Sequence, residues 1–293
     1  MKVRQLALIG CGLMGGSFAL ALRRAGLVER IVGFSASERS RARAVALGVI
    51  DAVADSAAEA ARGSDLVLLA VPVGATQATL TMIAPELAEH ALLMDVGSTK
   101  TDVVAAAHAC LGPRLPCFVP AHPITGKEVA GIEHAEASLY DNCLTILTPI
   151  PSCGATQLAN ARALWAALGC RVSELSPEAH DDAFAAVSHL PHLLAFAYVN
   201  GVVDSPLGTD YLSLAGPGFR DFSRIAASDP TVWRDILLAN RDSVLAHAQA
   251  FAQALEQLKA AMQAQDGAAL QQLIEQARKT RSGWTLGGIE QDL

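Results

Sequence analysis

The sequence predicts an α/β fold, with a doubly wound, mostly parallel sheet in residues 1–175 and an all-helical part in residues 176–293. In the first part, short apolar runs alternate with alanine-rich stretches of helical spacing. This alternation is typical of buried parallel strands that are joined by helices. After Pro177 the alternation stops, and alanine, leucine and glutamine predominate without a convincing strand. A chain of 293 residues is long enough for two such domains.

The individual elements follow from local patterns. The apolar runs that predict strands are Leu6–Ile9, Ile31–Phe34, Leu66–Val71, Leu92–Val96, Cys117–Val119, Leu144–Leu147 and Cys170–Leu175. The helical stretches of the first part include Phe18–Ala25, Arg39–Leu47 and Gln157–Leu168. In the second part, Asp229-Pro230 is a typical helix start and predicts one helix from Pro230 to Met262. Gly267 is expected to separate that helix from a last one through Arg281.

Composition excludes several classes of protein. The chain has 22 basic and 29 acidic residues and a net charge of −7, whereas a general nucleic-acid binder needs clustered positive charge. We therefore expect no nucleic-acid partner. The 52% of apolar residues are enough to build a large core, so we do not expect a disordered chain. Six cysteines without C-x-x-C or dense spacing predict reduced thiols, and we expect a cytoplasmic protein without a signal peptide.

The segment 183–203 contains no Asp, Glu, Lys or Arg and approaches the length of a membrane span. It also holds two histidines, a proline and an asparagine, and polar groups are costly inside a bilayer. We therefore expect no membrane partner. The segment is predicted to be a helix that is buried on all sides, either in the helical part or in a dimer interface.

Gly10, Gly12 and Gly15 form a G-x-G-x-x-G pattern that follows an apolar strand and opens a helical run. In that context the pattern predicts the dinucleotide site of a Rossmann domain. The first glycine permits a tight turn, the second lets the backbone approach a pyrophosphate, and the third allows close helix–strand packing. The other predicted residues around this turn are Leu13, Met14, Val71 and Pro72. The alternative is a glycine-rich turn without a ligand.

Ser35 follows the second strand, where NAD enzymes usually have an acidic residue that binds the ribose diol. The missing carboxylate removes a charge that would repel a 2′-phosphate, and Ser37, Arg39 and Arg41 can donate hydrogen bonds to phosphate. We therefore predict NADP as the cofactor, with NAD as the alternative. The arginines at 39, 41 and 43 are also compatible with the solvated face of a helix.

Two segments after later strands carry candidate catalytic residues. Ser98 lies in the loop after Leu92–Met94, and His122 lies in a loop that follows Phe118–Pro120. Ligands bind beyond the carboxyl ends of parallel strands, so these two side chains are predicted to meet beside a nicotinamide. Histidine is the natural general base near neutral pH. The alternatives are a helix N-cap for Ser98 and a turn residue before proline for His122.

The second part adds two further candidate groups. His189 and His192 form a His-x-x-His pattern, but no third ligand at metal spacing accompanies them, so no metal is predicted. Arg224 carries a guanidinium that can grip a carboxylate through two hydrogen bonds. The alternative is a surface ion pair of Arg224 with Asp221 or Asp229.

Five motifs together resemble the prephenate/arogenate (cyclohexadienyl) dehydrogenases of tyrosine biosynthesis. They are G-x-G-L-x-G-G-S at Gly10–Ser17, D-x-G-S-x-K at Asp95–Lys100, H-P-I-x-G-x-E at His122–Glu128, S-H-L-P-H at Ser188–His192 and R-I-A-x-S-D-P-x-x-W at Arg224–Trp233. They occur in the family's order over nearly the whole chain. The resemblance implies an oxidative decarboxylation with hydride transfer to NADP or NAD.

The resemblance also implies residue roles. His122 matches the base that takes the proton of the ring 4-hydroxyl while C4 gives up hydride, after which loss of CO2 makes the ring aromatic. Ser98 matches the residue that orients this hydroxyl and the base, and Arg224 matches the anchor of a substrate carboxylate. His192 and Glu128 match positions in the surrounding polar network. The family's all-helical dimerisation domain implies a homodimer.

Two alternatives from other classes stay open. A 3-hydroxyacid dehydrogenase opens with a similar glycine pattern, but it needs a catalytic lysine early in its helical domain, and no lysine lies between Lys127 and Lys259. A non-catalytic NADP-sensing protein would have no reason to keep His122, Ser98 and Arg224 together. Prephenate and arogenate, which differ in a keto and an amino group, are both candidate substrates.

Overall fold

The computed structural model describes residues 2–127, 129–285 and 288–289. The chain divides into two compact units, residues 1–241 and 242–293, which are described in turn. The strands of the first unit are β1 (Val3–Ile9), β2 (Val28–Phe34), β3 (Ala52–Val53), β4 (Leu66–Leu69), β5 (Leu92–Asp95), β6 (Phe118–Val119), β7 (Ala121–Ile124), β8 (Leu144–Leu147) and β9 (Arg171–Glu174).

Six of these strands form a parallel sheet in the order β3-β2-β1-β4-β5-β6. This is the doubly wound order, and the direction of winding reverses between β1 and β4, where open α/β sheets bind their ligands. The other three strands form a second sheet, β7-β8-β9, in which β7 is antiparallel to β8 and β9 is parallel to it. The predicted α/β fold with a mostly parallel sheet is confirmed.

Helices cover both faces of the parallel sheet. They are α1 (Leu13–Arg24), α2 (Glu38–Ala46), α3 (Ala57–Ala61), α4 (Thr76–Ile83), α5 (Thr101–Cys110) and α6 (Ala155–Ala167). Leu6 and Leu8 of β1 belong to the apolar cluster on one face, and Ala7 and Ile9 belong to the cluster on the other. Because Leu6–Ile9 of β1 are buried on both faces, this part of the strand is a continuous apolar run rather than an alternating one.

The rest of the first unit is helical. It contains α7 (Pro177–Phe184), a π-helical turn (Ala185–His189), α8 (Leu190–Val203), α9 (Gly208–Ser213), α10 (Pro217–Ser223), a 3₁₀ turn (Arg224–Ala227) and α11 (Pro230–Ala239). The prediction of one helix from Pro230 to Met262 is wrong, because the chain leaves the helical conformation at Asn240. The buried side chain of Asn240 donates a hydrogen bond to the Asp181 carbonyl at 2.7 Å, and this contact stabilises the non-helical conformation of Asn240.

The second unit consists mainly of α12 (Arg241–Gln263) and α13 (Gly267–Ser282). The side chain of Asp266 accepts a hydrogen bond from the Ala269 N–H at 3.0 Å, which explains why α13 begins at the expected glycine. Two short antiparallel strands follow, β10 (Trp284–Thr285) and β11 (Gly288–Ile289). The expectation of no strand in the second part is wrong at this point.

The uncharged segment 183–203 is helical, as predicted. The helix Pro177–Val203 is, among the described residues, the one stretch long and apolar enough to cross a membrane by length and composition. Only 17% of its most apolar window is buried, and Val187 and Val203 are 70% and 54% exposed. The prediction of a helix buried on all sides is therefore wrong within a single chain, and burial in a dimer interface stays a prediction.

Candidate active site

The turn between β1 and α1 shows why its glycines are needed. Gly10 has a φ of +105°, and a Cβ atom there would lie 2.2 Å from the carbonyl oxygen of Ala70. A Cβ atom on Gly15 would lie 2.3 Å from the carbonyl oxygen of Gly10. Gly12, by contrast, precedes α1 with open space beside it and no side-chain cap. The backbone at Gly12 and the N-terminus of α1 are therefore open to an anion such as a pyrophosphate.

A cavity of about 610 Å³ lies beside this turn. Its lining includes five predicted cofactor residues, Gly12, Leu13, Met14, Val71 and Pro72. Gly10 and Gly15 shape the turn behind them. The Tyr140 hydroxyl donates a hydrogen bond to the Met14 carbonyl at 2.8 Å and so supports the turn from the core. These features fit a bound dinucleotide.

The other predicted cofactor residues, Ser35, Ser37 and Arg39, follow β2 and do not line this cavity. The Arg41 guanidinium folds back and donates a hydrogen bond to the carbonyl of Ser35, which follows β2, at 2.6 Å. Ser37 caps α2, where its hydroxyl accepts a hydrogen bond from the Ser40 N–H. Arg39 is exposed on α2. Of Arg39 and Arg41, both on α2, Arg41 is therefore the one whose guanidinium contacts the chain at the end of β2.

A second cavity of about 390 Å³ brings together the predicted catalytic and substrate residues. Its lining includes Ser98, His122, Ser188, His189, His192 and Arg224. Ser98, Lys127, Ser228 and Trp233 line both cavities. Ser98 thus lies where the cavity beside the glycine turn meets the cavity of His122. Glu128 lies outside the described residues.

His122 lies on a strand and not in a loop, so the alternative of a turn residue is wrong. It is opposite Ile146 in the antiparallel pair of β7 and β8. Asp95 accepts a hydrogen bond from the Ala121 N–H at 3.0 Å, and the Lys100 ammonium donates one to the Ala121 carbonyl at 2.9 Å. Lys100 and Asp95 also form a buried ion pair with each other. The D-x-G-S-x-K segment therefore fixes the strand that carries His122.

The proton positions around His122 follow from a chain of hydrogen bonds. His122 Nδ1 lies 2.8 Å from His180 Nε2, and His180 Nδ1 lies 2.8 Å from Asp181 Oδ1. An ionised carboxylate only accepts hydrogen bonds, so His180 carries a proton on Nδ1, and in its neutral form the ring accepts at Nε2. His122 must then donate from Nδ1, which leaves its lone pair on Nε2. The sequence analysis missed both His180 and Asp181.

Asp181 also caps α5. Its Oδ1 and Oδ2 atoms accept hydrogen bonds from the N–H groups of Lys100 and Thr101, each at 2.8 Å. Burial alone would raise the pKa of Asp181, but these hydrogen bonds and that from His180 outweigh it and lower the pKa below 3.8. The alternative that Ser98 serves as the N-cap is therefore wrong.

The surroundings of His122 keep its ring neutral. Burial lowers the pKa of His122 well below its usual 6.5, and the neighbouring His180 and the positive charge of Lys100 act in the same direction. The ring packs against Phe184, with 4.8 Å between the ring centroids. A neutral imidazole with its lone pair on Nε2 is the state that a general base requires.

His189 and His192 each have a hydrogen-bond partner of their own. His189 accepts a hydrogen bond at Nδ1 from the side-chain amide of Asn240 at 3.1 Å. His192 donates from Nδ1 to the Ser188 carbonyl at 2.8 Å, and its ring stacks on Trp233 with centroids 3.5 Å apart. Burial lowers the pKa of both rings, that of His189 to about 4. The described residues contain no group of three or more His, Cys, Asp or Glu side chains that could hold a metal.

Arg224 lies at the edge of the second cavity. The two carboxylates considered as its surface partners have contacts of their own. Asp221 accepts a hydrogen bond from Arg220 at 2.8 Å, and Asp229 caps α11. Burial is the main cause of the lowered pKa of His192, and the charge of Arg224 contributes in the same direction. The guanidinium is therefore close enough to act electrostatically on the cavity.

Both parts of the chain match known sequence families. Residues 18–174 match the family described as "Prephenate dehydrogenase, nucleotide-binding domain", and residues 176–276 match "Prephenate dehydrogenase, dimerization domain". The chain is 35% identical over 286 residues to the prephenate dehydrogenase of Bacillus subtilis (strain 168), a match that covers 96% of this chain and 76% of the relative. It is 34% identical over 280 residues to the cyclohexadienyl dehydrogenase of Zymomonas mobilis, with 95% of both chains covered.

The solved structures give the same result. The crystal structure of prephenate dehydrogenase from A. aeolicus, in complex with hydroxyphenyl propionate and NAD+, matches with a TM-score of 0.91 and 35% identity. The match covers 96% of this chain and 98% of that one. A 3-hydroxyisobutyrate dehydrogenase of Mycobacterium tuberculosis, at 17% identity and a TM-score of 0.56, shares the fold alone. The chain therefore belongs to the prephenate dehydrogenase family.

Proposed function

We propose that this chain catalyses the oxidative decarboxylation of prephenate or arogenate, with His122 as the general base. The observation that carries the proposal is the hydrogen-bonded chain His122–His180–Asp181, which opens onto a cavity that meets the nucleotide cavity at Ser98. Membership of the family supports the reaction. The geometry supports the assignment of roles to individual residues.

The base works through its unprotonated nitrogen. The 4-hydroxyl of the substrate ring donates a hydrogen bond to His122 Nε2, and its proton passes to that nitrogen as the C4–H bond gives up hydride. A bound nicotinamide cofactor supplies the hydride acceptor. The ring then loses CO2 and becomes aromatic. The positive charge that develops on His122 is stabilised through His180 by the carboxylate of Asp181.

Ser98 and Arg224 position two different groups of the substrate, the ring hydroxyl and the side-chain carboxylate. Ser98 lines both cavities, and its hydroxyl both donates and accepts hydrogen bonds, so it can orient the substrate hydroxyl toward His122. Arg224 binds the carboxylate of the substrate side chain by charge-assisted hydrogen bonds. His192, which is fixed by its stack on Trp233, contributes to the polar network around that side chain.

We propose NADP as the preferred cofactor. No carboxylate follows β2 at Ser35, so nothing at that position repels a 2′-phosphate. The Arg41 guanidinium reaches back from α2 to the same strand end, and Ser37 and Arg39 lie at the start of α2. A phosphate at this point would meet hydroxyl groups and guanidinium groups. Because the A. aeolicus relative was crystallised with NAD+, NAD is the other outcome of the test.

We further propose that residues 1–175 form the dinucleotide-binding domain and that residues 176–293 form a substrate and dimerisation domain of a cytoplasmic homodimer. The change from strands to helices between Glu174 and Pro177 supports this division. Exposed apolar side chains support the dimer, among them Val187, Val203 and Leu214, which is 83% exposed. Sedimentation equilibrium at micromolar concentration checks it, and a monomer under those conditions contradicts it.

The decisive experiment measures turnover of the purified full chain with prephenate and arogenate, each with NADP and NAD. We expect CO2 release and cofactor reduction in equal amounts, together with an aromatic product. Absence of turnover in all four combinations refutes the proposal. Oxidation of a 3-hydroxyacid in their place would favour the other dehydrogenase class, and cofactor binding without any turnover would favour a sensing protein.

A further inference from the structure

The structure assigns Cys143 and Cys170 as a thiol pair that a peroxide converts into a disulfide, a modification site apart from the active site. Cys143 directly precedes β8 and Cys170 directly precedes β9. These strands are parallel neighbours, with Leu144 opposite Arg171, so the two cysteines also face each other. Their Sγ atoms are 3.4 Å apart. The S–S bond of a disulfide is about 2.0 Å long, so a small movement of the two side chains is enough to form it.

The two thiols have different environments, which gives them different roles. Cys170 is buried, and its sulfur lies 3.5 Å from the Tyr140 carbonyl oxygen. Cys143 is half-buried and follows two exposed residues, Asp141 and Asn142. The hydrogen bond from Cys170 lowers the pKa of Cys143 to about 7, and the same contact raises the pKa of Cys170. Cys143 is therefore the thiolate near neutral pH and the nucleophile of the pair.

Three other cysteines, Cys11, Cys117 and Cys153, lack the lowered pKa of Cys143. Burial raises the pKa of Cys11 to about 11 and also raises that of Cys117 and of Cys153. The Cys153 thiol donates a hydrogen bond to the Phe118 carbonyl at 3.0 Å rather than to another sulfur. Hydrogen peroxide should therefore react faster at Cys143 than at any of these three.

The reaction is balanced with hydrogen peroxide as the oxidant. The Cys143 thiolate attacks one peroxide oxygen, the O–O bond breaks, and a sulfenic acid and hydroxide form. The sulfur of Cys170 then attacks the sulfenic sulfur, the S–S bond forms, and water leaves. The hydroxide takes up the remaining proton. In sum, two thiols and one peroxide give one disulfide and two waters, so both sulfurs are oxidised and both peroxide oxygens are reduced.

The test treats the reduced, folded full chain with hydrogen peroxide, blocks remaining thiols with N-ethylmaleimide, and maps the peptides without reduction. We expect a peptide pair joined through Cys143 and Cys170, loss of two titratable thiols per chain, and recovery of both with dithiothreitol. The rate of this loss should rise with pH around 7, as the Cys143 thiol ionises. If both cysteines stay fully alkylatable, or if the bond forms only in denaturant, the proposal is overturned.

Variants separate the roles of the two sulfurs. Cys170→Ser should leave a sulfenic acid at Cys143 that dimedone traps, whereas Cys143→Ser should abolish both the trapped adduct and the disulfide. The matched control is Cys153→Ser, which should form the disulfide at the wild-type rate. If the Cys170 variant does not fold, dimedone competition in the wild-type chain gives the same information, because it should intercept Cys143 before closure. Labelling of Cys170 in place of Cys143 contradicts the assigned roles.

Discussion

His122 Nδ1 lies 2.8 Å from His180 Nε2, and this contact joins a strand residue to a helix residue 58 positions later in the chain. Asp181 holds the proton of His180 on the far nitrogen, so the contact fixes the proton of His122 as well. The side of His122 that carries the lone pair is then set by the fold and not by the substrate. Several measurable consequences depend on this arrangement.

Replacing the base should abolish most of the activity while the fold is kept. In His122→Asn we expect kcat to fall about 10²–10⁴-fold, because the general base is lost, with the cofactor KM unchanged. Steady-state kinetics with saturating cofactor measures the effect. His108→Asn, an exposed position on α5, is the matched control and should behave as the wild type. A His122→Asn variant with nearly normal kcat would remove His122 from its proposed role.

Changing the carboxylate that fixes the protons should act on the base at a distance. In Asp181→Asn the amide can donate to His180 Nδ1, which moves the His180 proton to Nε2 and forces a proton onto His122 Nε2. We expect kcat to fall by about 10²-fold or more, as when an aspartate behind a catalytic histidine is replaced. ¹⁵N chemical shifts of the imidazoles report the tautomer directly.

The control for this variant is Glu178→Gln, which removes an exposed carboxylate from the same helix. Asp181 also caps α5, so the free energy of unfolding of Asp181→Asn should fall too, and the kinetics must be measured on folded protein. If the variant loses stability but keeps kcat and the wild-type tautomer, Asp181 has only a structural role.

The pH dependence should reflect the lowered pKa of the buried histidines. The base acts when neutral, so activity is lost as the pH falls through its pKa, and the acid limb of kcat/KM should lie below pH 6.5. The unfolded chain binds more protons than the folded one below 6.5. The stability that His122 and His189 contribute is therefore present above pH 6.5 and decreases below it. Rate profiles and urea unfolding on both sides of pH 6.5 check this, and an acid limb above 6.5 contradicts it.

Arg224→Ala should weaken substrate binding alone. Loss of a charge-assisted carboxylate contact typically costs about 1.5–3 kcal/mol, so the substrate KM should rise about 10–100-fold. The cofactor KM should stay the same. Arg220→Ala, which removes an exposed guanidinium paired with Asp221, is the matched control. A variant that affects the cofactor KM instead would assign Arg224 to the nucleotide cavity.

The cofactor proposal depends on the residues at the end of β2. We expect the wild type to have the higher kcat/KM with NADP, and Ser35→Asp to shift the preference toward NAD, because the new carboxylate repels the 2′-phosphate. Arg41→Ala should lower kcat/KM for NADP more than Arg39→Ala does, since Arg41 contacts the Ser35 carbonyl and Arg39 is exposed. Wild-type enzyme that prefers NAD would show the proposal to be wrong.

Local sequence patterns predicted the elements in which burial and backbone geometry dictate the type of residue. The glycine turn is set by contacts with adjacent strands, and Gly10 and Gly15 leave no room for a side chain there. Residues Leu6–Ile9 of β1 are all apolar because both faces of the strand are buried there. Both signals are visible in a single sequence, which explains why the sheet and the nucleotide cavity were found without any structure.

The features that the sequence did not reveal depend on contacts between residues that are far apart in the chain. β7 contains Pro123, which normally argues against a strand, and it forms because this strand is at the edge of its sheet. The helix break at Asn240 depends on its hydrogen bond to the Asp181 carbonyl, and no periodicity reveals such a contact. His180 and Asp181 resemble ordinary polar residues of a helix until β7 and α5 are packed against them.

The contact between His122 and His180 also limits how the chain can be recombined. His122 precedes the proposed division at residue 175, whereas the pair that sets its proton follows it. A fragment that ends at residue 175 would contain the glycine turn and the base but not the means to orient the base. Exchange of the helical part between relatives should therefore preserve catalysis only when the incoming segment supplies an equivalent histidine–aspartate pair in its first helix.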